Sequence, residues 1–166
     1  MISTETMAKT PEPSDTTSKP ALLDQALESY LGYVLRRAQM KVFQHLATHL
    51  EAFDLRPAQF TALMIIEEHP GLMQADLARA LAIEPPQAVV LVNKLEKLGL
   101  AMRVRCKPDK RSYGIFLSKA GETQLKELKE IAQQSDVDST RSLDQQERGQ
   151  LIALLRKLYR DPPLKN

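Results

Sequence analysis

At 166 residues, with 43% apolar and 27% charged side chains, the chain is long enough to bury a core and ordinary for a folded domain with tails. A net charge of +2 excludes a generally polycationic nucleic-acid binder, so any surface for DNA has to be local. The apolar runs fall far short of the roughly 20 residues that cross a bilayer, and the single cysteine, Cys106, excludes an internal disulfide and fits a reducing cytoplasm.

The opening stretch, MISTETMAKTPEPSDTTSKP, has no apolar segment of the secretory kind. Rich in Ser, Thr, Pro and charge, residues 1–20 read as a disordered tail, and residues 21–166 as a single domain. Leu31, Val34, Leu35, Ala38, Val42, Leu46 and Leu50 recur at helical steps, which predicts one long helix from Leu22 to about Phe53, with a break near Gly32. Pro57 stands at a first helical position and opens PAQFTALMIIEEH; the HPG run at 69–71 ends it. Two shorter helices are expected next, Gln74 to Leu81 and Pro85 to Leu98, the second closed by Gly99.

After Gly99 the period changes to two. Leu100, Met102, Val104 and Cys106 alternate with Ala101, Arg103 and Arg105, the pattern of a half-buried strand. A turn through Pro108 and Asp109 leads to a second strand, Ser112 to Leu117. Ser118 then suits the N-cap of a long helix to about Gln134. SLDQ, Ser142 to Gln145, has the spacing of a capping box and opens a last helix to about Arg160. The fold class is therefore mainly α with a small β-wing: a winged helix-turn-helix over residues 56–117, flanked by helices at 21–53 and 118–160.

The hairpin RVRCKPDKRSYGIF gathers five basic side chains and one acid in a chain that is nearly neutral. Beside two short helices, that excess reads as a wing lying on phosphates. LRPAQFTALMII, the helix-turn-helix run MQADLARALAIEPPQAVVLVNKLEKLGLAMR, and DKRSYGIFLSKAG with its Asp109, Arg111, Leu117, Gly121 spacing together resemble the MarR family of transcriptional regulators. The resemblance implies an obligate homodimer joined through its first and last helices, an inverted-repeat duplex DNA operator, and a small-molecule effector that releases a repressor. It also implies that Pro85–Leu98 enters the major groove while the wing tip reaches the backbone or minor groove. Arg56 departs from the usual Thr cap, Lys110 stands where a second Arg is common, and Pro86, Gln87, Val89 and Val90 replace the usual Ser, Thr and Arg.

With Ala88, Leu91, Val92 and Leu95 as the core stripe of this helix, its outer face carries Pro86, Val90, Asn93 and Lys97. The expected DNA contacts are Gln87, Val89, Val90, Asn93 and Lys94, together with Arg103, Arg105, Lys107, Lys110 and Arg111. Gln87 can pair bidentately with adenine and the valines can pack on a thymine methyl. Arg111 suits a narrow minor groove, and Asp109 would orient it. For the effector, Tyr30, Tyr33, Arg37 and Met40 share a stripe of the first helix with Arg36 alongside. Aromatic rings beside a guanidinium suit an aromatic carboxylate or an aromatic acyl-CoA thioester; alternatively, these side chains only pack the dimer apex.

Cys106 lies between Arg105 and Lys107, which lowers a thiol pKa, yet reads best as a plain strand residue. His45 and His49 have the spacing of a metal pair without further ligands, so neither metal nor cofactor is expected. No nucleophile elbow, phosphate loop or paired acids point to an enzyme. A competing reading, a winged-helix protein-interaction module without specific DNA binding, rests on the apolar Pro-Val surface of the recognition helix.

Overall fold

The computed structural model of the chain describes residues 27–105 and 113–160. The described residues up to Ala38 belong to one compact unit and those from Gln39 onward to a second. The elements are α1 (Leu31–Leu50), α2 (Pro57–Glu68), β1 (Leu72–Met73), α3 (Gln74–Ala80), α4 (Pro85–Lys97), β2 (Ala101–Arg105), β3 (Tyr113–Leu117), α5 (Lys119–Ser139) and α6 (Gln145–Arg160). This is the mostly helical winged helix-turn-helix that the pattern of periods predicts. Among the described residues, no helix is long and apolar enough to cross a membrane.

Within the described residues the first long helix runs from Leu31 to Leu50. A turn closed by the Tyr30 N–H on the Leu27 carbonyl precedes α1, so the chain breaks near Gly32, as expected. Of the predicted apolar row only Leu46 and Leu50 are buried; Leu31, Val34 and Leu35 stand exposed. A single 3₁₀ turn, Glu51–Phe53, carries the chain to Asp54, which adopts a left-handed φ of 53°. Asp tolerates that conformation better than most residues. Arg56 is extended and its N–H donates to Gln59 Oε1 at 2.7 Å, so Gln59 supplies the α2 cap that the side chain of Arg56 cannot.

The core is built from α2, α3, α4, α5 and the end of α1 around β3, with Leu50, Leu63, Ile66, Leu77, Leu95, Ile115, Leu125 and Leu128 fully buried. The sheet has three antiparallel strands in the order β1-β3-β2, with Leu72 opposite Ile115 and Ala101 opposite Leu117. The strand β1 is absent from the sequence reading, because two residues are too few for a period of two to register. It forms where Gly71, at φ +84°, turns its N–H onto the Ile115 carbonyl at 2.8 Å.

The α4-to-β2 turn is a complete Schellman motif. Gly99 at φ +72° donates to the Glu96 carbonyl at 2.9 Å, and Leu100 to the Leu95 carbonyl at 2.9 Å. This corrects the phase of the wing strand. Leu100 is buried as the residue that closes the motif, not as the first of an inward row. Within β2, Ala101 is buried and Arg103 half-buried, whereas Met102 and Val104 are exposed.

Two further boundaries differ from expectation. The Ser118 hydroxyl accepts from the Gly121 N–H at 2.9 Å and caps α5 as predicted, but the helix continues to Ser139, five residues past Gln134. The capping box of α6 is Asp144 with Glu147, not Ser142 with Gln145. Glu147 N–H donates to Asp144 Oδ1 at 2.8 Å, and Asp144 N–H donates to Glu147 Oε2 at 2.9 Å. Aspartate is at least as good an N-cap as serine. No described residue of α6 is buried; Leu151, Leu154 and Leu158 are all exposed and Leu155 half-buried.

Candidate nucleic-acid interface

The helix α4 owes its start to Pro85 and Pro86, whose fixed φ suits the first turn where no intrahelical donor is needed. Ala88, Leu91, Val92 and Leu95 are its buried stripe, as the periodicity predicts, and they seat the helix on the core. That leaves Pro86, Val89, Val90, Asn93 and Lys97 outward, with Val90 the most exposed of the two valines at 69%. Gln87 is exposed but occupied. Its Oε1 accepts from the Glu84 backbone N–H at 3.2 Å, half of a capping box. The Glu84-x-x-Gln87 spacing carries that signal in the sequence, and the expectation of a bidentate adenine contact overlooked it.

Arg103 joins three elements. Its Nη1 donates to Asn93 Oδ1 at 2.9 Å and to Glu96 Oε2, and its Nη2 to Gln74 Oε1 at 2.8 Å. Its backbone N–H donates to the other Glu96 oxygen at 3.0 Å. Expected among the phosphate contacts, Arg103 is instead placed on the inner side of the wing, its charge matched by Glu96 and its side chain about one-fifth exposed. Glu96 and Gln74, which the sequence reading did not single out, are the residues that hold it.

Lys94 is likewise engaged, in an ion pair with Asp54. The Lys94 ammonium, hydrogen-bonded to the Asp54 carboxyl, holds that group below its ordinary pKa, with Lys97 and Arg56 adding weaker attraction. Arg105 lies at the exposed end of β2. Its Nε donates to the Tyr113 hydroxyl at 2.9 Å, and the guanidinium stands 5.7 Å from the Tyr113 ring centre, opposite it in the sheet register. Tyr113 is a further supporting residue the sequence reading missed; antiparallel register is its signal. Cys106, Lys107, Asp109, Lys110 and Arg111 lie outside the described residues.

Of the residues expected at an effector site, Tyr33 and Arg37 are brought together. The Arg37 guanidinium donates to the Tyr33 hydroxyl at 2.8 Å and lies 5.7 Å from its ring centre. With Glu28 and Val34 they line an open depression of about 360 Å³. Tyr30, Arg36 and Met40 are exposed and do not line it. His45 Nδ1 is hydrogen-bonded to the buried Ser135 hydroxyl at 2.8 Å, and His49 Nδ1 to the His45 carbonyl at 2.9 Å. Among the described residues no group of three or more His, Cys, Asp or Glu converges on a common point.

A helix-turn-helix running through a Schellman turn into a basic wing has counterparts among known proteins. A sequence model of the MarR family matches residues 53–112. The protein assigned to transcriptional regulation of the hcr operon in Thauera aromatica is 32% identical over 140 residues, which are 84% of each chain. The chain belongs to the MarR family of transcriptional regulators. Its fold matches the transcriptional repressor CouR bound to a 23-mer DNA duplex, at 32% identity and a TM-score of 0.77, over 82% of this chain and 96% of that one. CouR bound to p-coumaroyl-CoA matches at 29% identity and a TM-score of 0.74, over 83% and 97%. This is a family of DNA-binding regulators, which are not enzymes; in this chain Arg103 and Lys94 are each engaged by an acidic side chain within the lobe.

Proposed function

We propose that the protein is a homodimeric, ligand-released repressor that inserts α4 into the major groove of an inverted-repeat operator. The observation that carries this reading is the outer face of α4. Pro86, Val90, Asn93 and Lys97 stand exposed on a helix whose opposite side is anchored in the core, with Arg105 on the strand packed against it. In this reading Val89 and Val90 meet thymine methyls, and Arg105, Lys107 and Lys110 neutralise phosphates. Arg111 enters the minor groove, oriented by Asp109. Arg103 braces the wing strand against α4, and Lys94 ties α4 to Asp54 in the turn before α2.

The dimer reading is supported by the exposed apolar rows of α1 and α6, which need a second copy to cover them. For the effector, the Tyr33–Arg37 pair offers a ring and a cation, and the related CouR has been solved with p-coumaroyl-CoA. An anionic aromatic acid or its CoA thioester is therefore the proposed ligand class. It lowers operator affinity by binding better to a state that does not span both half-sites.

The test is binding of the full-length protein to the promoter region of its own operon across a range of salt. Replacing both Arg105 and Lys107 with Ala should flatten the slope of log K against log salt by about 3.6, since the dimer would lose four phosphate contacts at roughly 0.9 each. An unchanged slope would remove these residues from the interface. Truncation before Ser142 should give a monomer or aggregate by sedimentation. A truncated protein that stays dimeric with full affinity would refute the apex.

A further inference from the structure

Where the middle of α1 passes the end of α5, Lys41, His45, Asp138, Ser139 and the turn residue Arg141 line an open cavity of about 500 Å³. It shares no residue with the Tyr33–Arg37 depression. One wall is fixed by His45, whose Nδ1 is hydrogen-bonded to the buried Ser135 hydroxyl at 2.8 Å. That leaves Nε2 as the ring nitrogen available to the cavity. A hydroxyl both donates and accepts, so Ser135 matches His45 whether the ring is charged or neutral with its proton on Nε2. In both of these states Nε2–H is a donor.

The cations beside it are unmatched. Among the described residues, neither the Lys41 nor the Arg141 side chain has an ion-pair or hydrogen-bond partner, whereas Arg79, Lys94, Arg103 and Lys129 each face an acid. Of the lining residues only Asp138 is acidic, and it is held toward the preceding turn of α5. Both its oxygens accept there from Gln134 Nε2, at 3.0 and 3.1 Å. Ser139 donates its hydroxyl to the Asp136 carbonyl at 3.3 Å. A single unpaired cation on a surface is ordinary. Two that line one cavity beside an imidazole repel each other, and an anion between them relieves that repulsion.

We infer that this cavity binds the phosphate monoester of a small hydroxylated molecule, such as a sugar phosphate. A phosphate monoester carries three acceptor oxygens and a charge of about −1.5 to −2 near neutrality, one oxygen for each of Lys41, His45 and Arg141. The guanidinium serves it as a directional fork and the ammonium as a point charge. A monocarboxylate, with two oxygens and one charge, would leave one cation unmatched. The volume falls within the roughly 300–1,000 Å³ of small-molecule sites, so the phosphate group has room for an organic body beside it. Every lining residue is polar or charged, which suits hydroxyl groups rather than an aromatic ring. The bound ligand joins α1 to the turn that leads into α6.

Isothermal titration of the full-length protein with ribose 5-phosphate, at low ionic strength, tests this. One site per chain is expected. Inorganic phosphate should bind about fivefold more weakly for want of hydroxyl contacts, and gluconate about tenfold more weakly for want of the second charge. Lys41→Gln and Arg141→Gln, both at exposed positions, should each weaken ribose 5-phosphate by about tenfold. Lys126→Gln, which removes an exposed cation of α5 outside the cavity, should stay within about twofold of wild type. Circular dichroism checks that each variant is folded, and if Lys41→Gln is not, Arg141→Gln in the turn decides alone. No binding to the wild type, unchanged affinity in both cavity variants, or an equal loss in Lys126→Gln overturns the site. Inorganic phosphate bound as tightly as ribose 5-phosphate overturns the organic ligand. None of these outcomes reads operator binding, so the proposed repressor function stands or falls separately.

Discussion

Gly121 stands where the first turn of α5 meets the backbone at the start of the wing. A methyl group there would fall on the Leu100 carbonyl oxygen and lie 2.9 Å from its carbonyl carbon. Both sides of that contact are backbone, so no flexible side chain can yield, and Gly121→Ala has to lift the helix from the strand. The lift breaks the Ser118 N–H bond to the Leu100 carbonyl, 3.0 Å long, and the Ser118 hydroxyl bond to the Gly99 carbonyl. Two such bonds are worth about 0.5–1.5 kcal/mol each, and overpacking adds about 1–3 kcal/mol. The better helix propensity of alanine returns about 1 kcal/mol. The net loss is roughly 1–5 kcal/mol, a large share of the roughly 5–15 kcal/mol that folded domains possess. Urea unfolding followed by circular dichroism, at one fixed protomer concentration, measures it, and Tm should fall by roughly 2–20 °C. Gly149→Ala in α6, where a methyl meets nothing within 4 Å, should change stability in the opposite direction, by about 0.5–1 kcal/mol. A Gly121→Ala protein as stable as the wild type would refute the close approach of α5 to β2.

Glu96→Ala and Arg103→Met should each destabilise the lobe, and a double-mutant cycle should give a coupling of about 1–2 kcal/mol, read from urea midpoints; coupling near zero would make the pair an ordinary surface contact. Asp144→Ala should cost about 0.5–2 kcal/mol while Ser142→Ala costs little, and equal effects would return the α6 cap to Ser142. For Asp54, whose carboxyl is held below the ordinary carboxylate range by Lys94, the ion pair contributes stability above that range and loses it as pH falls through the lowered value. Asp54→Asn keeps a residue tolerant of the left-handed backbone but should be less stable than wild type near neutrality, with the difference closing in strong acid. A gap independent of pH in unfolding experiments would mean that the pair contributes nothing.

What the sequence determined by itself are the features governed by neighbours a few residues apart. The stripe Ala88, Leu91, Val92 and Leu95, the stop at Gly99 and the Ser118 cap depend on helical period and backbone sterics, which act within one or two turns. The family pattern from Asp109 to Gly121 belongs here too, and its glycine has a physical reason in the Leu100 carbonyl it must clear. Even so, local rules left choices open. Both Ser142 and Asp144 begin a capping-box spacing, and only the folded chain selects Asp144.

Tertiary structure decided the rest. Alternation along β2 has a period but no sense of direction, and the inward side was chosen by pairing with β3, whose Ile115 is fully buried opposite Arg103. Leu100 misleads because it is buried by the Schellman turn rather than by the strand. Once that phase is set, Arg103 points at α4 instead of at solvent and meets Asn93, Glu96 and Gln74, the last of them 29 positions away in sequence. Charge composition marks the hairpin as basic, but a charge is spent or available according to what the fold sets beside it. Arg103 is matched by an acid, Lys94 by Asp54, while Arg105 rests on a tyrosine and keeps its charge at the exposed end of the wing strand.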